Sequence, residues 1–163
     1  MTGGRTLVIG IGNPDRGDDA FGRIVARAVA KRAPPGVACL EHDGEPAALM
    51  DGWQGAARVV LIDAVRSGRA PGEIVRFDLS RQPLPEDVAP CSTHAFGLAQ
   101  AVELARVLGT LPPWVRFIGV EGAVFDIGAD LSPPVLAAKG AVVDEILESL
   151  GAGREAGDAT VSR

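Results

Sequence analysis

The sequence predicts a single α/β domain: a three-layer sandwich in which helices cover both faces of a twisted, mostly parallel five-stranded sheet. Two observations predict it. Five short apolar runs alternate with segments of helical periodicity, the pattern of parallel strands joined by crossover helices. One run, "RVVLIDA", is almost continuously apolar, as a strand covered on both faces must be. The 163 residues suit one domain that buries a core without a disulfide or a structural metal. Residues 1–150 are assigned to that domain. The small, polar stretch after Gly151 is assigned to a disordered tail over 151–163.

The elements follow in order. Strand one is expected over 6–10. Phe21, Ile24, Val25, Ala28 and Val29 recur at helical spacing and form one buried stripe, which Pro34 and Pro35 terminate. Strand two is expected over 37–40 and a short helix over 46–53. Strand three is expected over 58–63, ending in Asp63. The run 73–77 alternates in polarity and follows after nine residues, too few for a crossover helix, so it is expected to pair antiparallel with strand three. A helix over 96–108 carries Leu98, Val102, Ala105 and Leu108 as its stripe, and strand five follows over 115–120. The last helix has a start signal in Ser132 as cap and Pro133–Pro134 in the first turn.

Composition narrows the function. A net charge of −5 argues against a nucleic-acid binder, which needs a basic face. Two cysteines, Cys39 and Cys91, without paired spacing point to a reducing cytoplasm. The first residues form too short an apolar run for a signal peptide, and no run reaches the roughly 18 residues that span a bilayer. The expectation is a cytoplasmic protein with no membrane partner.

Ligands in open α/β sheets gather beyond the carboxyl ends of the strands. Beyond strand one stand Asn13, Asp15, Asp18 and Asp19; beyond strand two, His42, Asp43 and Glu45; Asp63 ends strand three and Glu121 strand five. His94 lies in "CSTHAFG", between strands four and five. The stretch "GIGNPDRGDDAFG" looks like a phosphate loop, but four residues instead of two separate its second and third glycines, and its carboxylates would repel phosphate. A cation explains the charge better. Asp19, Asp63 and His94, from three loops, offer carboxylate oxygens and an imidazole suited to nickel, zinc or manganese. Plainer roles stay open: Asp18 as a helix cap, His42 as an ordinary surface histidine, Cys91 as a packing residue and Glu121 as a group supporting the ligands.

"LVIGIGNPDRGDDAFG", "VVLIDAV", "STHAFGL" and "LSPPVLAAKGAVVDEILESL" together resemble the nickel–iron hydrogenase maturation proteases across about residues 5 to 150. The resemblance implies a phosphorylase/hydrolase-like α/β domain. It implies an endopeptidase that removes the C-terminal extension of a hydrogenase large-subunit precursor after nickel insertion. It places the metal-contacting residues on Asp19, Asp63 and His94, with Asp19 and Asp63 as candidates for the catalytic base. It leaves two mechanisms open: nickel as a Lewis acid, or nickel carried by the precursor and sensed as a tag, other divalent ions substituting in vitro. The second is preferred here, with the protease a monomer by default. The family usually has glycine where this chain has Ala20, a departure that bears on backbone freedom. Two readings from other classes compete: a non-catalytic factor that binds metal or precursor, and a flavodoxin-like nucleotide-binding domain.

Overall fold

The computed structural model describes residues 4–90 and 97–158. The chain runs β1 (Arg5–Ile11), a 3-10 turn (Gly17–Ala20), α1 (Phe21–Ala30), β2 (Val37–His42), α2 (Pro46–Trp53) and β3 (Ala56–Arg66). It continues through β4 (Ile74–Asp78), β5 (Ala89–Pro90), α3 (Leu98–Leu108), β6 (Trp114–Glu121) and α4 (Pro133–Asp158). The strands lie in the order β2-β1-β3-β6-β4. The first four are parallel and β4 is antiparallel to β6, which makes the mixed five-stranded sheet that the alternation predicts.

Beyond shifts of one or two residues at strand ends, the structure departs from the sequence reading in three places. The run at β4 does turn back against β3, but its hydrogen-bonded neighbour is β6, which is inserted between the two. Strand β3 runs three residues beyond Asp63, because β6 pairs it as far as Val65↔Glu121 and the two-residue β5 pairs antiparallel with Val65 and Arg66. Helix α4 continues past Gly151 to Asp158, into the stretch assigned to the tail.

Alternation along β3 builds the three layers. Val59, Leu61 and Val65 face a core shared with Leu49 and Trp53 of α2 and Leu98, Ala101, Val102 and Ala105 of α3. Val60, Ile62 and Ala64 face the opposite core, shared with Phe21, Val25 and Val29 of α1 and Val135, Val142 and Ile146 of α4. From β1 the chain crosses to β2 on one side and then returns to β3 on the other. The carboxyl ends of β1 and β3 therefore form the topological switch point, where an open α/β sheet splays its loops and leaves a crevice.

Two glycines let the first turn of α1 settle on that edge. A Cβ on Gly22 would overlap the carbonyl oxygens of Ile11 and Ile62, and one on Gly10 would overlap the Gly22 carbonyl. Ala20 needs no such freedom. It has φ −75° and ψ −11°, ordinary right-handed backbone, so alanine in place of the family's usual glycine is accommodated without strain.

Candidate active site at the carboxyl edge of β1 and β3

Buried carboxylates crowd the switch point: Asp18, Asp19 and Asp63 are 0% exposed and Glu121 is 3% exposed. Their hydrogen bonds divide them into two kinds.

Asp18 is fully satisfied. Its carboxylate accepts the N–H groups of Ala123 (2.8 Å), Val124 (2.9 Å) and Ser132 (2.7 Å) and the Ser132 hydroxyl (2.8 Å). Burial pushes its pKa up, but these four donors outweigh it and the net shift is downward. The helix-cap role open to Asp18 is therefore corrected: it caps no helix and instead ties the first loop to the β6–α4 loop across more than 100 residues of sequence. Ser132 does precede α4, and its carbonyl accepts the Leu136 N–H, while its hydroxyl is turned to Asp18. Glu121 acts in the same way on the β3–β4 turn. It accepts the Ser67 N–H, the Ser67 hydroxyl and the Gly68 N–H at 2.8–3.1 Å.

Asp19 and Asp63 are not satisfied. Asp19 Oδ2 accepts the Asn13 N–H at 3.1 Å, with Arg16 3.7 Å away, while Oδ1 has no hydrogen-bond partner among the described residues. Burial raises its pKa, and the Asn13 N–H, Arg16 and Arg23 offset part of the rise. Asp63 is more extreme, since neither carboxylate oxygen has a hydrogen-bond partner among the described residues. Its pKa stands well above the ordinary value, first from desolvation and then from the neighbouring charge of Asp19. The Ala64 N–H offsets a little of this without reaching hydrogen-bond geometry. Two buried carboxyls close enough to feel one another, with three orphaned oxygens between them, fit either a shared proton or a cation.

His94 and Cys91 lie outside the described residues, as does Phe96 from the expected start of α3. Among the described residues no three side chains of metal-binding type converge, so Asp19 and Asp63 form a pair. The acidic end of β2 makes close local contacts. His42 Nδ1 accepts the Gly44 N–H, Asp43 accepts the Glu45 N–H, and Glu45 caps α2 through Ala47 and Ala48. The gripping roles of Asp18 and Glu121 have no local sequence signal, since their partners are backbone groups of distant loops.

A mostly parallel α/β sandwich with an unsatisfied carboxylate pair at its switch point has the framework of an α/β enzyme and places that pair where such sheets bind their ligands. The family described as hydrogenase maturation protease matches residues 23–149. HoxM of Azotobacter vinelandii, a hydrogenase expression/formation protein, is 32% identical over 142 residues, covering 84% of this chain and 68% of its own. The hydrogenase maturating endopeptidase HybD from E. coli has the same fold, with a TM-score of 0.77 over 94% of both chains at 24% identity. The [NiFe] hydrogenase maturation protease HycI from Thermococcus kodakarensis superposes with a TM-score of 0.69 at 26% identity, over 92% of this chain and 95% of that one. Matches to several curated relatives span 60–70% of their length. The chain belongs to the hydrogenase maturation protease family, and its activity is peptide-bond hydrolysis.

Proposed function

We propose that the protein removes the C-terminal extension of a nickel–iron hydrogenase large-subunit precursor once nickel has been inserted, and that Asp19, Asp63 and His94 sense that nickel. The observation that carries the reading is the set of three orphaned carboxylate oxygens on Asp19 and Asp63. A buried carboxylate without partners costs several kcal/mol. Its persistence beside the fully bonded Asp18 points to a ligand that supplies the missing charge. Nickel on the precursor arrives with part of its coordination filled, so an incomplete set of protease oxygens suits it better than a closed four-ligand site would. The carboxyl left off the metal serves as base toward the attacking water, and burial, which raises its pKa, strengthens it as a base. The cysteine usage supports a cytoplasmic setting, and monomeric action is the simplest stoichiometry. No helix among the described residues is long and apolar enough to cross a membrane.

The test mixes the protein with nickel-loaded and nickel-free cognate precursor and reads the mass of each. Loss of a C-terminal peptide from the loaded form alone is expected. Equal cleavage of both forms would remove nickel from recognition, and unchanged mass in both would remove the reading altogether.

A further inference from the structure

On its α1/α4 face the same edge carries a cationic platform, which reaches the acidic pair through Arg16. Phe125, in the β6–α4 loop, lies against the α1/α4 core. Two guanidiniums rest on its ring: Arg16 with its central carbon 5.6 Å from the centroid and Arg66 at 4.3 Å. The platform is fixed. Gly122 leaves room for the tip of the ring, which a Cβ there would overlap. Asp18 holds the backbone at Ala123 and Val124, and Glu121 holds Ser67 and Gly68, immediately after Arg66.

The two arginines differ in what else they touch. Arg16 reaches Asp19 at 3.7 Å. Arg66 is exposed, stands three residues beyond Asp63 on β3, and joins no ion pair among the described residues. A guanidinium over an aromatic ring keeps N–H donors that the ring does not use, and such donors receive a carboxylate in bidentate fashion. An exposed cation with no ion pair among the described residues, at an edge otherwise rich in carboxylates, suits an anionic group.

We infer that Arg66, laid on Phe125 with Arg16 at the carboxyl end of β3, is a specificity-determining residue that receives a carboxylate of the precursor's C-terminal segment. The inference rests on the proposed substrate. The carboxylate comes either from an acidic side chain or from the chain terminus, and the two share the same recognition chemistry.

The experiment measures Kd by calorimetry with nickel-free precursor, together with KM and kcat on the nickel-loaded form. Arg66→Ala should raise Kd and KM about tenfold, the worth of a hydrogen-bonded charge, with kcat nearly unchanged. Arg66→Glu should raise them further, and Arg66→Lys should recover part of the loss. Precursor whose acidic side chains in the extension are amidated, and precursor ending in a carboxamide, identify the source. The change that mimics Arg66→Ala with wild-type protease, and adds nothing with the variant, marks the partner. Unchanged Kd and KM in folded Arg66→Glu, or a loss confined to kcat, would overturn the inference. Because Kd is read without cleavage, an Arg66-dependent Kd alongside absent cleavage would fault the proposed reaction and leave the Arg66 contact standing.

Discussion

Two kinds of buried carboxylate stand at one edge of the sheet. Asp18 and Glu121 are surrounded by backbone N–H groups and hydroxyls and hold the β6–α4 loop and the β3–β4 turn in place. Asp19 and Asp63, equally removed from water, keep three oxygens without a donor. Asp18 and Asp19 are consecutive in the chain, so the difference cannot come from residue type or depth. It comes from which loop backbone reaches each carboxyl. The bonded pair builds a rigid frame, and the frame keeps the other pair in an environment that such groups would otherwise leave.

The largest effects should separate the pairs by activity. Asp63→Asn and Asp19→Asn are expected to lower cleavage of nickel-loaded precursor by about 10³-fold or more, the scale for losing a principal acid–base or electrostatic group, and mass spectrometry of timed digests reads this. His94→Gln should behave likewise. On the bonded side, Asp18→Ala leaves the Ala123, Val124 and Ser132 donors buried without an acceptor. Urea unfolding should show a loss of about 3 kcal/mol or more. Glu121→Gln keeps one acceptor oxygen, so a loss of about 1 kcal/mol is expected in the same assay.

The smallest effect is a pH dependence. The folded-state pKa of Asp18 is depressed, so its contribution to stability is present above its unfolded pKa of about 4 and is lost as pH falls through the lower folded value. The stability gap between wild type and Asp18→Asn should therefore be full at pH 6 and narrow below pH 4. A gap independent of pH would contradict the assignment of Asp18 as a stabilised carboxylate.

The alternation of apolar runs made the layers and the four parallel strands readable, because burial on both faces leaves a strong compositional mark. The place of β4 was not readable, since a short connection sets direction but not neighbour, and β6 had not yet entered the sheet at that point of the chain. At the site, "PDRGDD" marked the loop after strand one as acidic, and the structure buries two of its carboxylates. That stretch could not separate Asp18 from Asp19, because the donors that satisfy Asp18 come from a loop more than 100 residues away. The Arg66–Phe125 stack was invisible for the same reason: nothing local marks two residues 59 positions apart as partners.

The most direct test of the division is thermal unfolding of Asp18→Asn, Glu121→Gln, Asp19→Asn and Asp63→Asn, side by side at neutral pH without metal. The first two should melt lower than wild type, by several degrees for Asp18→Asn. Asp63→Asn should melt at or above wild type, because it removes a buried charge that no donor compensates, and Asp19→Asn should stay near wild type, having only the Asn13 N–H to lose. A fall in Tm for Asp63→Asn as deep as that for Asp18→Asn would show that Asp63 too is part of the frame, and would contradict the account.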